Sequence, residues 1–310
     1  MAAPAMTGPV PPRPFPVPSE DDLRAALARP ERFALLRELE VPTGLTGEGD
    51  DQDHAGVGIV VDVETTGLGD DDPVVELALR RFRYDRAGVV TRIDRSYSWL
   101  RDPGFPLPAA AAAVTGLRDA DLVGQEVDVG AATRLLQSAT FVCAHNAAFD
   151  RPRVEALLPA ATGLAWTCSM SEVAWVERGF EFCKLGPLLV RCGRFHLAHR
   201  AGSDVDATIG LLRHRFDDGT TVLAEMLGRA GGPSWVVEAV GAHFDVKDRL
   251  RERGYRWDPG RKVWRIERYD EAGRESELWW LAANVYAIEA RPKALGPRVT
   301  ERDWTVRHAR

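Results

Sequence analysis

The chain has 310 residues, 45% of them hydrophobic and 28% charged, with a net charge of −6. That length holds one large domain with a smaller companion, and the composition is ordinary for a soluble globular protein. No apolar run approaches the roughly 18 residues of a membrane span, and the acidic balance excludes a globally basic nucleic-acid binder while leaving local basic patches open. The N-terminus lacks the basic-then-apolar order of a secretory signal, so a cytoplasmic location is expected. Cys143, Cys168, Cys183 and Cys192 agree, because they lack C-x-x-C spacing and read as reduced thiols.

Residues 1–18 hold seven prolines and read as a disordered leader. Ser19-Glu20-Asp21-Asp22 is a cap with an acidic first turn, and it predicts a helical stretch to about Glu38, kinked at Pro30. The apolar positions Leu23, Leu27, Phe33, Leu36 and Leu39 of that stretch are expected to pack on something, either the following domain or a protein partner docking on residues 19–39. Residues 43–55, rich in Gly and Asp, read as a linker. Three strands are predicted next, at 58–64, 74–84 and 89–100, with Asp85-Arg86-Ala87-Gly88 as a hairpin turn. Helices follow near 109–114 and 129–138, then a strand at 140–144, a helix at 152–158, a short strand at 164–168 and helices near 171–178, 185–192 and 205–216. A run of strands followed by alternating elements predicts an α/β domain over 56–232, a mixed five-stranded sheet flanked by helices, with a trailing helix at 221–229. Gly231-Gly232-Pro233 marks a boundary, and 233–290 reads as a small α+β module followed by a tail at 291–310.

Chemistry concentrates at three places in the larger domain. Asp62 and Glu64 lie two apart on a strand, so both carboxylates project to one face while Val61 and Val63 pack on the other. Side-by-side carboxylates repel unless a proton or cation intervenes, and a hard divalent ion suits an all-oxygen site. His145-Asn146-Ala147-Ala148-Phe149-Asp150 ends a second buried strand and delivers Asp150 as the cap of a helix with Pro152 in its first turn. His199 precedes Asp204 by five residues at the head of a further helix; Asp206 competes for the same role and Ser203 is an alternative cap.

Across roughly Gly56 to Phe216 the chain resembles the DEDDh exonucleases of the ribonuclease-H-like fold, which include the proofreading exonuclease subunit of bacterial DNA polymerase III. The resemblance rests on Asp62-Val63-Glu64-Thr65-Thr66-Gly67-Leu68, on His145, Asn146, Phe149 and Asp150, on His199 with Asp204, and on Val114-Thr115-Gly116-Leu117. Arg200 stands where the sister group carries tyrosine. The resemblance implies that Asp62, Glu64, Asp150 and Asp204 hold two divalent ions, Mg2+ or Mn2+, and that His199 is the general base, with His196 and His145 as lesser rivals. It further implies that Thr65, Thr66, Gly67, Leu68, Asn146 and Phe149 hold the terminal nucleotides, Gly67 permitting close approach of backbone to ligand. Removal of nucleoside 5'-monophosphates from the 3' end of single-stranded DNA or RNA is then the expected reaction. The acidic run Asp70-Asp71-Asp72 reads as a solvated turn.

In the C-terminal module, nine basic residues between Lys247 and Arg268 face four acids, with Tyr255, Trp257 and Trp264 interleaved. That pattern suits phosphate tracking with base stacking, and Lys247, Arg251, Arg256, Trp257, Lys262 and Trp264 are its candidate contacts. A helix at 246–253, a hairpin turning at Asp258-Pro259-Gly260 and a helix at 275–290 are expected there. Two alternatives stand beside the free exonuclease: a proofreading or DNA-repair accessory acting through a protein partner, and a non-catalytic nucleic-acid-binding protein.

Overall fold

The computed structural model describes residues 19–29 and 36–309, in two units divided after Arg37. The leader at 1–18 and the expected kink at Pro30 with Phe33 lie outside the described residues. In the first unit, helix α1 (Glu20–Leu27) opens on a reciprocal capping box between Ser19 and Asp22, and leaves Leu23 and Leu27 exposed. The helix does not run to Glu38: Pro30 disfavours a helical Arg29, and Arg37–Glu38 is extended (β1). In the second unit, Leu39 packs into the core, where a Cβ on Gly210 would meet it at 2.7 Å. Leu39, partly buried and outside any helix, therefore packs on the larger domain.

The larger sheet comprises β2 (Gly44–Leu45), β3 (His54–Thr65), β4 (Val74–Asp85), β5 (Val90–Leu100), β6 (Phe141–Ala144) and β7 (Trp166–Cys168). They run in the order β2-β5-β4-β3-β6-β7, with β6 and β7 parallel to β3 and the remaining pairs antiparallel. The sheet has six strands where five were expected. The sixth, β2, comes from the segment read as a linker, because Thr46 hydrogen-bonds the backbone of β5 and draws the chain alongside.

Helices α2 (Ala109–Thr115), α3 (Asp119–Leu122), α4 (Val129–Gln137), α5 (Ala147–Leu157), α6 (Leu185–Arg191), α7 (Ala201–Arg213) and α8 (Val222–Ala230) complete this part, with a short strand β8 (Arg194–Phe195). Strand alternation sorts them into layers. Ile59, Val61 and Val63 share a core with Leu136 of α4 and Val154 of α5, while Val60 shares one with Val205 and Ile209 of α7 and Met226 of α8. The helix expected at 171–178 is instead a series of turns, because Glu225 accepts the Ala174 N–H and the Trp175 indole donates to Ser169 O.

The C-terminal module is built on an antiparallel sheet of β9 (Ser234–Glu238), β10 (Arg256–Asp258), β11 (Val263–Arg268) and β12 (Arg298–Arg302), in the order β10-β11-β9-β12. Helices α9 (Lys247–Glu252) and α10 (Glu271–Asn284) contribute Leu250 and Leu281 to a small core with Val237, Ala239, Tyr255 and Ile266. Residues 298–302, expected as tail, supply its outer strand. Residues 303–309 then return to the larger sheet, where Trp166 of the edge strand β7 donates its N–H to Trp304 O at 2.8 Å. Two buried arginines fasten this segment. Arg151 donates to the carbonyls of Trp304, Thr305 and Arg307, and Arg307 pairs with the fully buried Glu172 at 3.0 Å. Among the described residues no helix is long and apolar enough to cross a membrane.

Candidate active site

Glu64 and Asp62 lie on the face of β3 that α7 covers, opposite Val61 and Val63, as the period of two requires. Asp204 comes down on them from α7. One carboxylate oxygen from each of Asp62, Glu64 and Asp204 lies within 4.8 Å of the other two. Asp150 adjoins: its Oδ1 accepts the Val63 N–H at 3.2 Å, between the two β3 acids. Neither Asp150 nor Asp204 is a helix cap. Helix α5 starts at Ala147 and α7 at Ala201, so each aspartate is the fourth helical residue, and Pro152 lies inside α5. The small residues ahead of each aspartate carry the helix further toward its N-terminus than the cap signals indicate. Asp206 is directed elsewhere, to Arg80 at 2.6 Å, and Ser203 is within the helix.

Charge crowding is visible in the carboxyl groups themselves. Burial, then the carboxylates of Asp150, Asp204 and Glu64, hold the Asp62 carboxyl well above its usual range. Burial, then Asp204 and Glu76, push Glu64 up to about 7. Burial pushes Asp150 to about 8, against the opposing pull of the Val63 N–H and Arg153. Hard oxygen donors held this close in their anionic form fit a divalent cation and would be relieved by one.

The histidines divide their roles. His196 places Nε2 2.9 Å from Asp204 Oδ1, and its side chain is buried. His199 is exposed, in a left-handed conformation with φ 68°, and gives its backbone N–H to Asp204 Oδ2 at 2.8 Å. His145 is locked between Ser169 Oγ and Cys183 O, both at 2.8 Å, and burial lowers it to about 4. It is a neutral tie between the ends of β6 and β7.

The residues expected around the terminal nucleotides gather at the ends of β3 and β6. Thr65 and Thr66 are buried, and the Thr65 hydroxyl donates to Gly67 O; Leu68 is 87% exposed. The turn beyond is tied by Asp72, which accepts the Gly69 N–H at 2.6 Å and lies 2.5 Å from where a Cβ on Gly67 would sit. Asn146 takes φ 106°, a region that side chains other than glycine rarely enter. Arg153 stacks on Phe149 at 3.6 Å and donates to Gly69 O at 2.7 Å, fastening the β3 turn to α5.

One further residue near the cluster, Glu76, escapes a motif reading. Glu76 lies directly across from Glu64 on β4, buried, where two like charges would repel. Arg200 answers it with Nε 3.0 Å from Glu76 Oε2. The detectable signal is an acid inside the apolar run Val74-Val75-Glu76-Leu77-Ala78-Leu79.

The six candidate contacts of the module do not share one surface. Trp257 and Trp264 are a cross-strand pair with rings 5.6 Å apart, and Trp264 packs at the core. Arg256 and Arg265 are the next pair and point to the opposite face. Lys247 caps the Phe244 ring at 3.7 Å, Arg251 pairs with Asp248 at 2.9 Å, and Lys262 takes φ 52° in the hairpin loop.

No protein-family model and no curated protein matches the chain. Solved structures do. An Exonuclease X in complex with 5' overhanging duplex DNA is 22% identical, over 56% of this chain and 93% of that one, with a TM-score of 0.39. Exonuclease I from Methylocaldum szegediense is 16% identical over 58% of this chain, with a TM-score of 0.45, and this chain spans about half of its length (47%). E. coli Exonuclease I in complex with a dA16 oligonucleotide is 15% identical over 69% of this chain and 63% of that one, with a TM-score of 0.45.

Proposed function

We propose that the chain is a metal-dependent 3'-to-5' exonuclease that hydrolyses the terminal phosphodiester of a single-stranded DNA or RNA and releases nucleoside 5'-monophosphates. The observation that carries this reading is the meeting of Asp62, Glu64 and Asp204 within 4.8 Å. Asp150 adjoins them through the Val63 N–H. These four acids would hold two divalent ions, Mg2+ or Mn2+, which when bound supply charge for the phosphate and the leaving oxygen and ease deprotonation of water.

The chain's own groups do the rest. His199, exposed on the loop before α7, is the base that takes the proton of the attacking water, a task suited to an imidazole nitrogen. His196, held on Asp204, fixes the orientation of that carboxylate. The Thr65–Leu68 turn and Asn146 with Phe149 seat the terminal nucleotide, and the Arg153 fastening keeps the two parts of that seat in register.

A denaturing-gel time course with 5'-labelled DNA and RNA of one sequence, in Mg2+, Mn2+ or EDTA, tests the reading. Shortening from the 3' end that requires metal and disappears in Asp204→Ala and in Asp62→Asn is expected. The faster of the two ladders identifies the sugar. Failure to cleave either strand in any metal would overturn the proposal in favour of a non-catalytic binding role.

A further inference from the structure

The sheet of the C-terminal module has one face buried under α9 and α10 and one polar face. Its register sets Arg256, Arg265, Glu238 and Arg298 in a single row across all four strands. Val237, Trp264 and Ile266 point into the small core, so this row, one residue out of step with them, points away from the helices. Glu238 is fully buried at the middle of the row, with Arg261 at 2.8 Å and Arg298 at 3.3 Å. The two guanidinium charges offset that of the buried carboxylate. Arg256 and Arg265 are exposed.

The same face forms one wall of a cleft of about 710 Å3, through Arg256, Arg265, Glu267 and Arg302. The start of α5, with Asn146, Ala148 and Pro152, also lines it. That helix carries Asp150, whose carboxylate sits against β3 beside Asp62 and Glu64. Ala148 and Pro152 lie about half a turn round α5 from Asp150, so the cleft meets the surroundings of the cluster at Asn146, the residue that precedes the helix. Tyr269 and Ser171 also line it, their hydroxyls 3.4 Å apart. A space of this size is that of a pocket for a drug-sized ligand or a few nucleotides of one strand.

We propose that this cleft is the track of a single-stranded polynucleotide, whose backbone phosphates lie on Arg256, Arg265 and Arg302 while its end is directed toward Asn146, which the proposed function places at the terminal nucleotide. Guanidinium groups suit the task because each offers a planar fork of donors to a phosphate. The inference rests on the reading of the cluster as a phosphodiester-hydrolysing site. It moves nucleic-acid contact from the Trp257 and Trp264 side of the module to the opposite face.

The test is fluorescence anisotropy of a labelled oligothymidylate with the full chain, in EDTA, across a salt series. Wild type should bind with a salt-dependent affinity. The double variant Arg256→Gln/Arg265→Gln should bind several-fold more weakly, and its log–log salt slope should be shallower by about 1.4, at roughly 0.7 per phosphate contact on a single strand. Arg249→Gln, on the exposed side of α9, should keep the wild-type slope. Melting curves confirm that each variant is folded. Absence of binding by the wild type, an unchanged slope in the double variant, or an equal loss in Arg249→Gln would overturn the track. If the strand binds with the expected slopes but is never shortened on adding Mg2+ or Mn2+, the hydrolytic reading fails and the track stands. Metal-dependent shortening with an unchanged slope in the double variant gives the reverse.

Discussion

Glu64 and Asp150 bind protons more tightly in the folded chain than carboxyls ordinarily do, at about 7 and about 8. In an unfolded chain both groups titrate near pH 4. Their folded values are raised, so their contribution to stability is fully present below about pH 4 and is lost as pH rises through about 7 and 8. The metal-free protein should therefore melt at progressively lower temperature as pH rises through that window. Millimolar Mg2+ or Mn2+ should raise the melting temperature, and more so at about pH 8 than at about pH 5. Calorimetry with and without EDTA checks this, and a metal effect that is independent of pH would contradict it. Arg200→Gln leaves Glu76 buried opposite Glu64 without its guanidinium. We expect that variant to be destabilised by about 1–3 kcal/mol in EDTA, with part of the loss recovered on adding Mn2+. The acids themselves were legible because strand alternation and five-residue spacing are local. Glu76 was not, since its significance comes from pairing across β3 and β4, and His196, read as a rival base, owes its contact with Asp204 to a loop folding back on α7.

At the scale of elements, the helices that deliver Asp150 and Asp204 begin four or five residues before the cap signals placed them. Asn146 and Arg200 occupy the cap positions without a side-chain cap bond, whereas Asp150 and Ser203 carry the stronger cap signals in the sequence. The long strands were legible from their apolar alternation; β12 was not, because an edge strand reading Arg-Val-Thr-Glu-Arg lacks an apolar face. The clamp on residues 303–309 was equally hidden, since Arg151 and Arg307 look like solvated arginines until the fold buries them. Arg307→Ala removes the partner of Glu172, itself fully buried and also within 2.9 Å of His308. Breaking such a pair costs about 3–5 kcal/mol, and a corresponding fall in chemical-denaturation midpoint is expected. A midpoint within error of the wild type would show that the clamp contributes nothing.

At the scale of the whole second unit, the C-terminal module is joined to the larger sheet by its own continuation. A chain ending at Gly232 loses the module and also the segment that lies along β7. Loss of strand affinity in such a truncation would not isolate the module's binding role, whereas the arginine variants leave the clamp intact. The Trp166 N–H, one of β7's outward donors, is occupied by Trp304 O. Take residues 303–309 away and β7 becomes a bare sheet margin, with unpaired backbone groups beside the apolar Trp166. Bare margins recruit strands from other molecules. A chain cut after Arg302 should therefore elute as concentration-dependent oligomers in size-exclusion chromatography while the intact chain does not. The clamp would then be a guard against self-association as well as a fastening.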